Sequence, residues 1–333
     1  MAKHINLPWI RTALASTTAL CVAFSLTTRS VNAGQESKEV APPPPPPPSK
    51  VNWLLNVEFA NEYVTPRGMI VRDEGLTIQP LLLMFVPLYK GDGFINSVKF
   101  VGGVWNDFGT TKVSKHPPYG SDPKTNWTEI DPIAGLSIGF AKNFTFDATY
   151  TAFAEQILDI GTSHHLELKL SFDDSPYLGA FAIHPYVSFW QELQGKATDA
   201  DVPFAVFGPS PFSGSHPQPG SSHYFTVGVD PSYTFKDFYS FKIEAPCSIL
   251  LPDSRFYGEY YGKASTVGLI DLSVKATVPL NFMPEGYGHW SFHTGVKYQY
   301  YNDTNLYHLN TFNAPGKPTR DTWQVFAGIS AFF

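Results

Sequence analysis

Apolar and polar residues alternate with a period of two along most of the chain from residue 51 to residue 333. In the first such stretch, Val51, Trp53, Leu55, Val57, Phe59 and Tyr63 alternate with Asn52, Asn56, Glu58, Ala60 and Glu62. Successive side chains of a β-strand point to opposite faces, so this alternation predicts a strand with one apolar and one polar face. Repeated along the chain, the pattern predicts about twelve strands, and the one at 75–89 is apolar on both faces.

The connections between the predicted strands are short and long in alternation. Shorter ones, with Gly, Pro, Asp or Asn, are expected at 89–96, 140–143, 173–179, 234–238 and 279–288. Long polar or Gly/Pro-rich ones are expected at 109–126, 193–221, 251–264 and 302–321. Short turns on one side and long loops on the other are typical of outer-membrane barrels. The sequence therefore predicts an all-β protein, an antiparallel up-and-down transmembrane β-barrel of about 12 strands over residues 51–333.

Closure of the sheet follows from the physics of lipid. A backbone group without a partner costs several kcal/mol there, so a membrane-spanning sheet has to close on itself. Aromatic residues stand at both ends of the predicted strand 290–300, as girdles at the two membrane surfaces would require. A secreted β-sandwich also alternates, but it gives no reason for paired girdles or for so many outward apolar residues.

Six prolines fall inside predicted strands, and each removes a donor from the hydrogen-bond ladder. They are Pro80, Pro87, Pro132, Pro185, Pro231 and Pro246. Strand ends and bulges would accommodate some of them, but the pattern alone does not place all six.

The first fifty residues differ from the rest. Residues 1–33 have the form of a signal peptide, with Lys3 and Arg11, an uncharged apolar stretch at 13–26 and a small-x-small cleavage pattern at 31–33. Residues 34–50 are interpreted as a periplasmic linker. Its seven prolines, Pro42–Pro48, predict a polyproline II rod of roughly 20 Å, which would act as a spacer or contact a periplasmic or cell-wall partner.

Charge and cysteine content further restrict the possible partners of the protein and its possible disulfides. Removing the three basic residues of the signal from the 23 Lys and Arg of the chain leaves 20 against 29 Asp and Glu, a net charge of −9. This charge argues against nucleic acid as a partner, and the expected partners are outer-membrane lipid and the barrel-assembly machinery. Cys247 would be the one thiol left after cleavage, so no intramolecular disulfide is expected.

The polar parity of the predicted strands would line the lumen with charged side chains. The residues expected there are Glu58, Glu62, Lys99, Glu129, Asp131, Asp147, Glu167, Lys169, Asp230, Lys242, Glu244, Asp271, Lys275 and Lys297. Asp107, Glu155, Glu192, His165, His184 and His293 are expected beside them. An open lumen with this excess of acids would favour cations. A narrow lumen, in which acids and lysines pair with one another, would be closed, and the sequence leaves both alternatives open.

Enzymatic chemistry has little support. The segments 163–165 (Ser-His-His) and 215–216 (Ser-His) supply the residue types of a hydrolase, but no Gly-x-Ser-x-Gly elbow and no third member accompany them. His164 and His165 would point to opposite faces of a strand and cannot share one metal ion. We therefore expect neither an enzyme nor a bound cofactor or metal.

The two ends of the predicted barrel resemble known outer-membrane proteins. The last residues, with Ile329 and a terminal Phe333, resemble the C-terminal signal that the barrel-assembly machinery reads by strand addition. Segments 62–68 (Glu-Tyr-Val-Thr-Pro-Arg-Gly), 78–80 (Ile-Gln-Pro) and 103–106 (Gly-Val-Trp-Asn) resemble the TorF family of porins over roughly the first sixty barrel residues. The resemblance implies an outer-membrane, porin-like barrel with Arg67 and Gly68 in its first outer loop, and it implies no solute.

Together these observations predict a channel of the outer membrane of a Gram-negative bacterium, for passive diffusion of small solutes and with a preference for cations. The alternative is a closed structural or adhesive barrel that displays its long loops. A barrel hydrolase is the third and least supported option.

Overall fold

The computed structural model describes residues 51–111, 126–156, 162–194, 222–254, 256–257, 263, 265–313 and 319–333. The predicted signal peptide, proline rod and Ser215-His216 pair lie outside these residues. The strands are β1 Asn52–Ala60, β2 Tyr63–Val64, β3 Ile70–Arg72, β4 Thr77–Lys90, β5 Ile95–Gly109, β6 Trp127–Phe140, β7 Phe144–Glu155, β8 Ser163–Phe172, β9 Phe181–Ala182, β10 Pro185–Gln194, β11 His223–Val229, β12 Ser232–Phe235, β13 Phe241–Glu244, β14 Cys247–Pro252, β15 Leu269–Pro279, β16 His289–Tyr301 and β17 Asp321–Phe332. The helices are α1 Ser175–Leu178 and α2 Thr304–Asn313, with a 3₁₀ turn at Glu285–Tyr287.

Fifteen of these strands form one closed antiparallel sheet. Strand β1 pairs with β4 on one side and with β17 on the other, and β15 pairs with both β13 and β14. In three places two short strands continue one another across a two-residue break: β9 and β10, β11 and β12, and β13 and β14. The wall therefore consists of twelve strands, and the predicted β-barrel is confirmed.

The polarity of the wall is the reverse of that of a soluble protein. Apolar side chains such as Leu82, Leu136, Val227 and Leu272 are exposed on the outside, whereas the inward parity is rich in buried polar and charged residues. A continuous apolar exterior of this kind is stable in lipid and not in water. The molecule is thus an outer-membrane β-barrel, in which each strand of the wall pairs with a neighbouring strand on both sides. None of the helices in the described residues is both long and apolar enough to cross a membrane.

The two rims of the barrel differ as the sequence predicts. At one rim the strands are joined by turns at 91–94, 141–143, 173–180, 236–240 and 280–288, and we call this the short-turn end. Both ends of the wall meet there, since the backbone N–H of Phe333 donates to the carbonyl of Trp53 at 3.0 Å. A row of stacked rings follows this rim, with Phe144 lying 5.6 Å from Phe140 and 4.8 Å from Phe172 between ring centroids. We call the opposite rim the long-loop end.

All six strand prolines lie where a ladder is interrupted. Pro80 lies at a gap in the β4–β5 pairing, Pro87 at a register shift between the same strands, and Pro132 at a gap between β6 and β7. Pro185, Pro231 and Pro246 lie at the breaks of the three divided strands. Proline has no N–H group, and at each of these interruptions the ladder does not need one as a donor.

The breaks of the three divided strands lie side by side. Pairs Pro185–Val229 and Ala182–Ser232 flank the first break, and pairs Val229–Cys247 and Ser232–Glu244 flank the second. We call residues 183–185, 230–231 and 245–246 the proline seam. His184 has a left-handed backbone conformation there, with φ 47°, and the carboxylate of Asp174 accepts the N–H groups of Ile183 and His184 at 3.0 Å each.

Candidate functional site

The first connection at the long-loop end, residues 61–76, folds into the barrel and fills part of the lumen. Its two short strands pair as the hairpin β2–β3. At the tip, Thr65 to Gly68 form a turn in which the Gly68 N–H donates to the Thr65 carbonyl at 2.9 Å. Pro66 suits the second position of such a turn, and the φ of 85° at Gly68 is one that glycine adopts without strain. We call residues 61–76 the plug hairpin.

The base of the plug hairpin is clamped to strands β5 and β6. The Tyr63 hydroxyl donates to the Glu129 carboxylate. The Arg72 guanidinium lies 3.4 Å from the Asp107 carboxylate, and both side chains are almost fully buried. Arg72 also donates to the Thr128 hydroxyl. A buried ion pair of this kind fixes one geometry, because separating its partners would leave a charge without compensation.

The tip of the plug hairpin reaches the opposite side of the wall. The Arg67 side chain is only 2% exposed. Its guanidinium carbon lies 4.5 Å from the ring centroid of Phe153 and 5.0 Å from that of Trp190. The Arg67 carbonyl accepts the Tyr257 hydroxyl at 2.8 Å. Burial raises the pKa of the Tyr257 hydroxyl well above its usual value, so this donor keeps its proton.

Helix α2 closes the long-loop end over the hairpin. The Asn310 side chain accepts the Ile70 N–H at 2.9 Å and donates to the Gly68 carbonyl at 2.8 Å. Asp303 caps the helix by accepting the N–H of Leu306 at 3.1 Å. A Cβ atom at Gly68 would come within 3.0 Å of both Leu269 and Leu306, so the helix fits the hairpin closely. The hairpin and α2 together form the plug.

Below the plug, the inward face is charged. Twelve of the fourteen residues expected in the lumen lie in wall strands, on the parity of the buried polar side chains, while Glu62 lies in the plug hairpin and Asp230 in the proline seam. Ion pairs link some of them: Lys242–Glu244 at 2.8 Å within β13, and Lys275–Glu244 and Lys297–Asp271 at 2.7 Å each between neighbouring strands. Glu58 contacts His293 at 3.3 Å, and Glu62 accepts the Thr322 hydroxyl at 2.8 Å. Asp147 stands opposite Lys169 in the β7–β8 ladder and opposite Ser137 in the β6–β7 ladder. The remaining wall members, Lys99, Glu129, Asp131 and Glu167, lie on the same face.

A cavity of about 110 Å³ lies within this charged region, beneath the exposed plug residue Pro66. Three acids and two lysines line it, Glu167, Asp230, Asp271, Lys169 and Lys297, together with Ser and Thr hydroxyls. The cavity is polar and has room for several waters. The cavity in the charged lumen can therefore hold water, and the plug residue Pro66 borders it.

The other side of the lumen is dry. Leu54, Leu81, Leu83, Val101 and Ile133 form a buried cluster on the inward face of β1, β4, β5 and β6. This cluster explains why the predicted strand at 75–89 is apolar on both faces. One face meets lipid, and the other packs inside the barrel.

Two further clusters of side chains, apart from the charged lumen residues, contain residue types that occur in hydrolases or in metal sites. The Ser163 hydroxyl and the His165 ring are hydrogen bonded, but both are fully buried, and Nδ1 of His165 has no partner among the described residues. Such a pair lacks the orienting acid and the access that a hydrolase needs. Ligand atoms of Asp173, Asp174 and His184 lie within 4.8 Å of one another, but the two carboxylates already accept backbone N–H groups of the α1 turn and of β9.

The predicted assembly residues lie at the wall. Ile329 is exposed on the outer face of β17, opposite Val57 of β1. The Phe333 ring packs edge-to-face on Trp290, with centroids 6.0 Å apart. Sequence reasoning missed the plug clamps Arg72 and Asn310. A lone arginine directly after two buried aliphatic residues, in a connection too short for a free loop, is the signal that could have indicated Arg72.

Comparison with known proteins finds barrels of the same kind. No model of a protein family matches the chain, and no curated protein matches it, so the resemblance to TorF porins stays a prediction. Among solved structures, an outer membrane channel from Pseudomonas putida F1 aligns over 89% of this chain and 100% of its own, at 11% identity and a TM-score of 0.45. Outer membrane phospholipase A from Escherichia coli aligns over 85% and 92%, at 12% identity and a TM-score of 0.40. OprB of Pseudomonas putida aligns over 85% and 93%, at 10% identity and a TM-score of 0.38. Similarity this low transfers no residue's role to this chain.

Proposed function

We propose that this protein is a gated outer-membrane channel for small polar solutes, in which the plug sets the open probability. The observation that carries the proposal is the charged, hydrated cavity lying directly beneath a loop-derived plug. The plug hairpin is fastened to the wall by polar contacts at its base and by Arg67 at its tip, and it is fastened to helix α2 by Asn310. Contacts of this kind can open and re-form without unfolding the wall, because the wall ladder does not pass through them.

A preference for cations follows from the charge of the inward face. The fourteen residues expected in the lumen comprise nine acids and five lysines. Lys242, Lys275 and Lys297 already pair with Glu244 and Asp271. An excess of acids therefore remains along the path and would give an open lumen a negative potential.

A closed structural barrel is the second candidate. The observation in its favour is the tight packing of the lumen, since Lys275 and Lys297 are only 4% and 3% exposed. In that case the long loops, and not the lumen, would carry the function.

Conductance in a planar bilayer separates the two candidates. Wild-type protein should show low conductance with rare openings. The double change Arg67→Ala and Asn310→Ala removes the contacts of the plug tip, and it should raise the open probability several-fold. The matched control is Thr311→Ala on the same helix, whose hydroxyl donates to the His308 carbonyl within α2. Absence of current from both the wild type and the double variant, with the barrel folded, would establish the closed barrel instead.

Selectivity is tested under a salt gradient. The reversal potential should show cation preference, and more strongly at 0.1 M than at 1 M salt, because the Debye length falls from ~10 Å to ~3 Å. Glu129→Gln with Asp131→Asn should weaken the preference and leave a current. Asp237→Asn, on an exposed short turn, is the control. Anion preference of the wild type would contradict the assignment.

A further inference from the structure

The proline seam interrupts three neighbouring strands at one level of the wall. In the described part of the chain, one backbone hydrogen bond crosses each gap: Asp230 N–H to Ile183 carbonyl at 2.8 Å, Ala245 N–H to Pro231 carbonyl at 2.7 Å, and Ser273 N–H to Pro246 carbonyl at 2.8 Å. A regular antiparallel ladder has two bonds over each two-residue step. The wall is thus weakened along a line that runs across three strands.

This line lies within the lipid-facing band. Val187 and Val227 on its long-loop side and Tyr233 on its short-turn side are exposed on the exterior, and Val274, at the level of the seam, is 50% exposed. Backbone groups without partners are costly in lipid. Three aligned interruptions at this depth therefore need a compensating role, which a single bulge at a rim would not.

The charged cavity lies directly behind the seam. Asp230, Pro246 and Cys247 line it, and Cys247 is at the same time exposed on the outside of the barrel. The same short stretch of backbone therefore borders both the cavity and the exterior. Nowhere else does the cavity lining, as described, include a residue with an exposed cysteine or aliphatic side chain on the lipid face.

We propose that the proline seam is a lateral portal, through which a single-chain amphiphile with a cationic headgroup enters the cavity while its tail stays in the membrane. This goes beyond the proposed conduction along the barrel axis and shares with it only the cavity. Charge selects the headgroup: Asp271 is paired with Lys297, which leaves Glu167 and Asp230 against Lys169. The apolar exterior beside Val274 and Val227 receives the tail.

The native Cys247 offers a direct test. Val229 is its cross-strand neighbour at the edge of the seam, so Val229→Cys allows a disulfide that pins the β11 and β14 edges together, with formation checked by mass spectrometry. The matched control is a disulfide between the same two strands away from the seam, Phe225→Cys with Leu251→Cys in a Cys247→Ser background. Both proteins are studied in phosphatidylcholine nanodiscs, oxidised and reduced.

The probes are N-dansyl diaminoundecane, which carries an amine head, and dansylamino-undecanoic acid, which carries a carboxylate. Binding is read by energy transfer from tryptophan, because Trp190 lines the cavity. The amine should bind saturably and about tenfold more tightly than the acid. Oxidising the Val229→Cys protein should weaken amine binding about tenfold, reversibly on reduction, while the control disulfide should have no effect.

A second variant keeps the test decisive if the disulfide does not form. Pro231→Val with Pro246→Val restores two ladder donors and should likewise weaken amine binding. Binding that is equal in locked and unlocked proteins, or equal for amine and acid, overturns the portal and leaves the prolines as devices of barrel curvature. Axial conductance is recorded in parallel. Loss of the channel with seam-dependent binding retained, or the reverse, shows which of the two proposals fails.

Discussion

The wall of the barrel has two unlike arcs. From β15 through β16, β17 and β1 to β4–β8, the strands run unbroken, and β4, β5 and β6 are 14, 15 and 14 residues long. The other arc consists of the three strands divided by the proline seam. The unbroken arc carries the apolar inner cluster and the clamps of the plug base, whereas the divided arc borders the polar cavity together with the adjoining strands β8, β15 and β16.

We infer from this difference that the unbroken arc stabilises the barrel and that the divided arc gives access to the cavity. Where side chains pack on both faces of the wall, the ladder can be long and regular, and it anchors the plug through Asp107 and Glu129. In the divided arc, the ladder is broken beside the polar cavity, at positions that prolines fix in place. Four substitutions test this division, from the largest expected effect to the smallest.

Closure of the unbroken arc should depend on its last residue. The N–H and carbonyl of Phe333 bond to the carbonyl and N–H of Trp53 at 3.0 and 3.1 Å. Phe333→Asp places a charge at the membrane rim and removes the aromatic end of the proposed assembly signal. We expect the amount of protein in outer-membrane fractions to fall by about tenfold or more. Phe238→Asp, in a short turn of the divided arc, is the control, and equal losses for both would show that the last strand has no special role.

The plug base should be the most sensitive point inside the unbroken arc. Arg72→Met leaves the buried Asp107 carboxylate without its ion-pair partner, which typically costs about 3–5 kcal/mol. Urea titration of the plug, followed by tryptophan fluorescence, measures the loss. Adding Asp107→Leu should recover most of it. If the double variant is as unstable as the single one, the contact acts by shape and not by charge.

Truncating an inward side chain should lower the free energy of unfolding by different amounts in the two arcs. Leu83→Ala opens a void in the dry cluster and should lower the free energy of unfolding by about 2–5 kcal/mol. Thr226→Ala, at the hydrated cavity, should change it by no more than about 0.5 kcal/mol. The midpoint of heat-induced mobility change in SDS reports both. Similar midpoints would remove the distinction between dry and hydrated arcs.

The smallest effect is expected at the foot of the divided arc. Asp174→Ala withdraws the acceptor from the N–H groups of Ile183 and His184 and should cost about 1–3 kcal/mol. Asp237→Ala, exposed on the neighbouring turn, should be neutral. Hydrogen exchange at 183 and 184 should accelerate in the first variant. Unchanged exchange would mean that water already reaches these groups.

The sequence predicted the wall well, because strand parity and turn length are local properties. It predicted the closed antiparallel barrel and its count of about twelve strands. It could not predict the plug, since the alternation of β1 runs on through Tyr63 and gives no sign that the chain turns inward. It could not predict the seam either. Pro185 lies far from Pro231 along the chain, and the breaks at Pro185, Pro231 and Pro246 come to one level only through the register of the barrel.

The position of the plug has a consequence for the order of folding. The plug hairpin belongs to the first sixth of the barrel sequence, yet Ile70 is held by Asn310, which is 240 residues away. Contacts of such long separation form late, after the intervening chain has been ordered. The wall can therefore close first, and the hairpin then folds inward from the long-loop end once helix α2 is in place to hold Ile70. Before that last step the chain would be a complete but unplugged barrel, a transient species with the same strands and an open lumen.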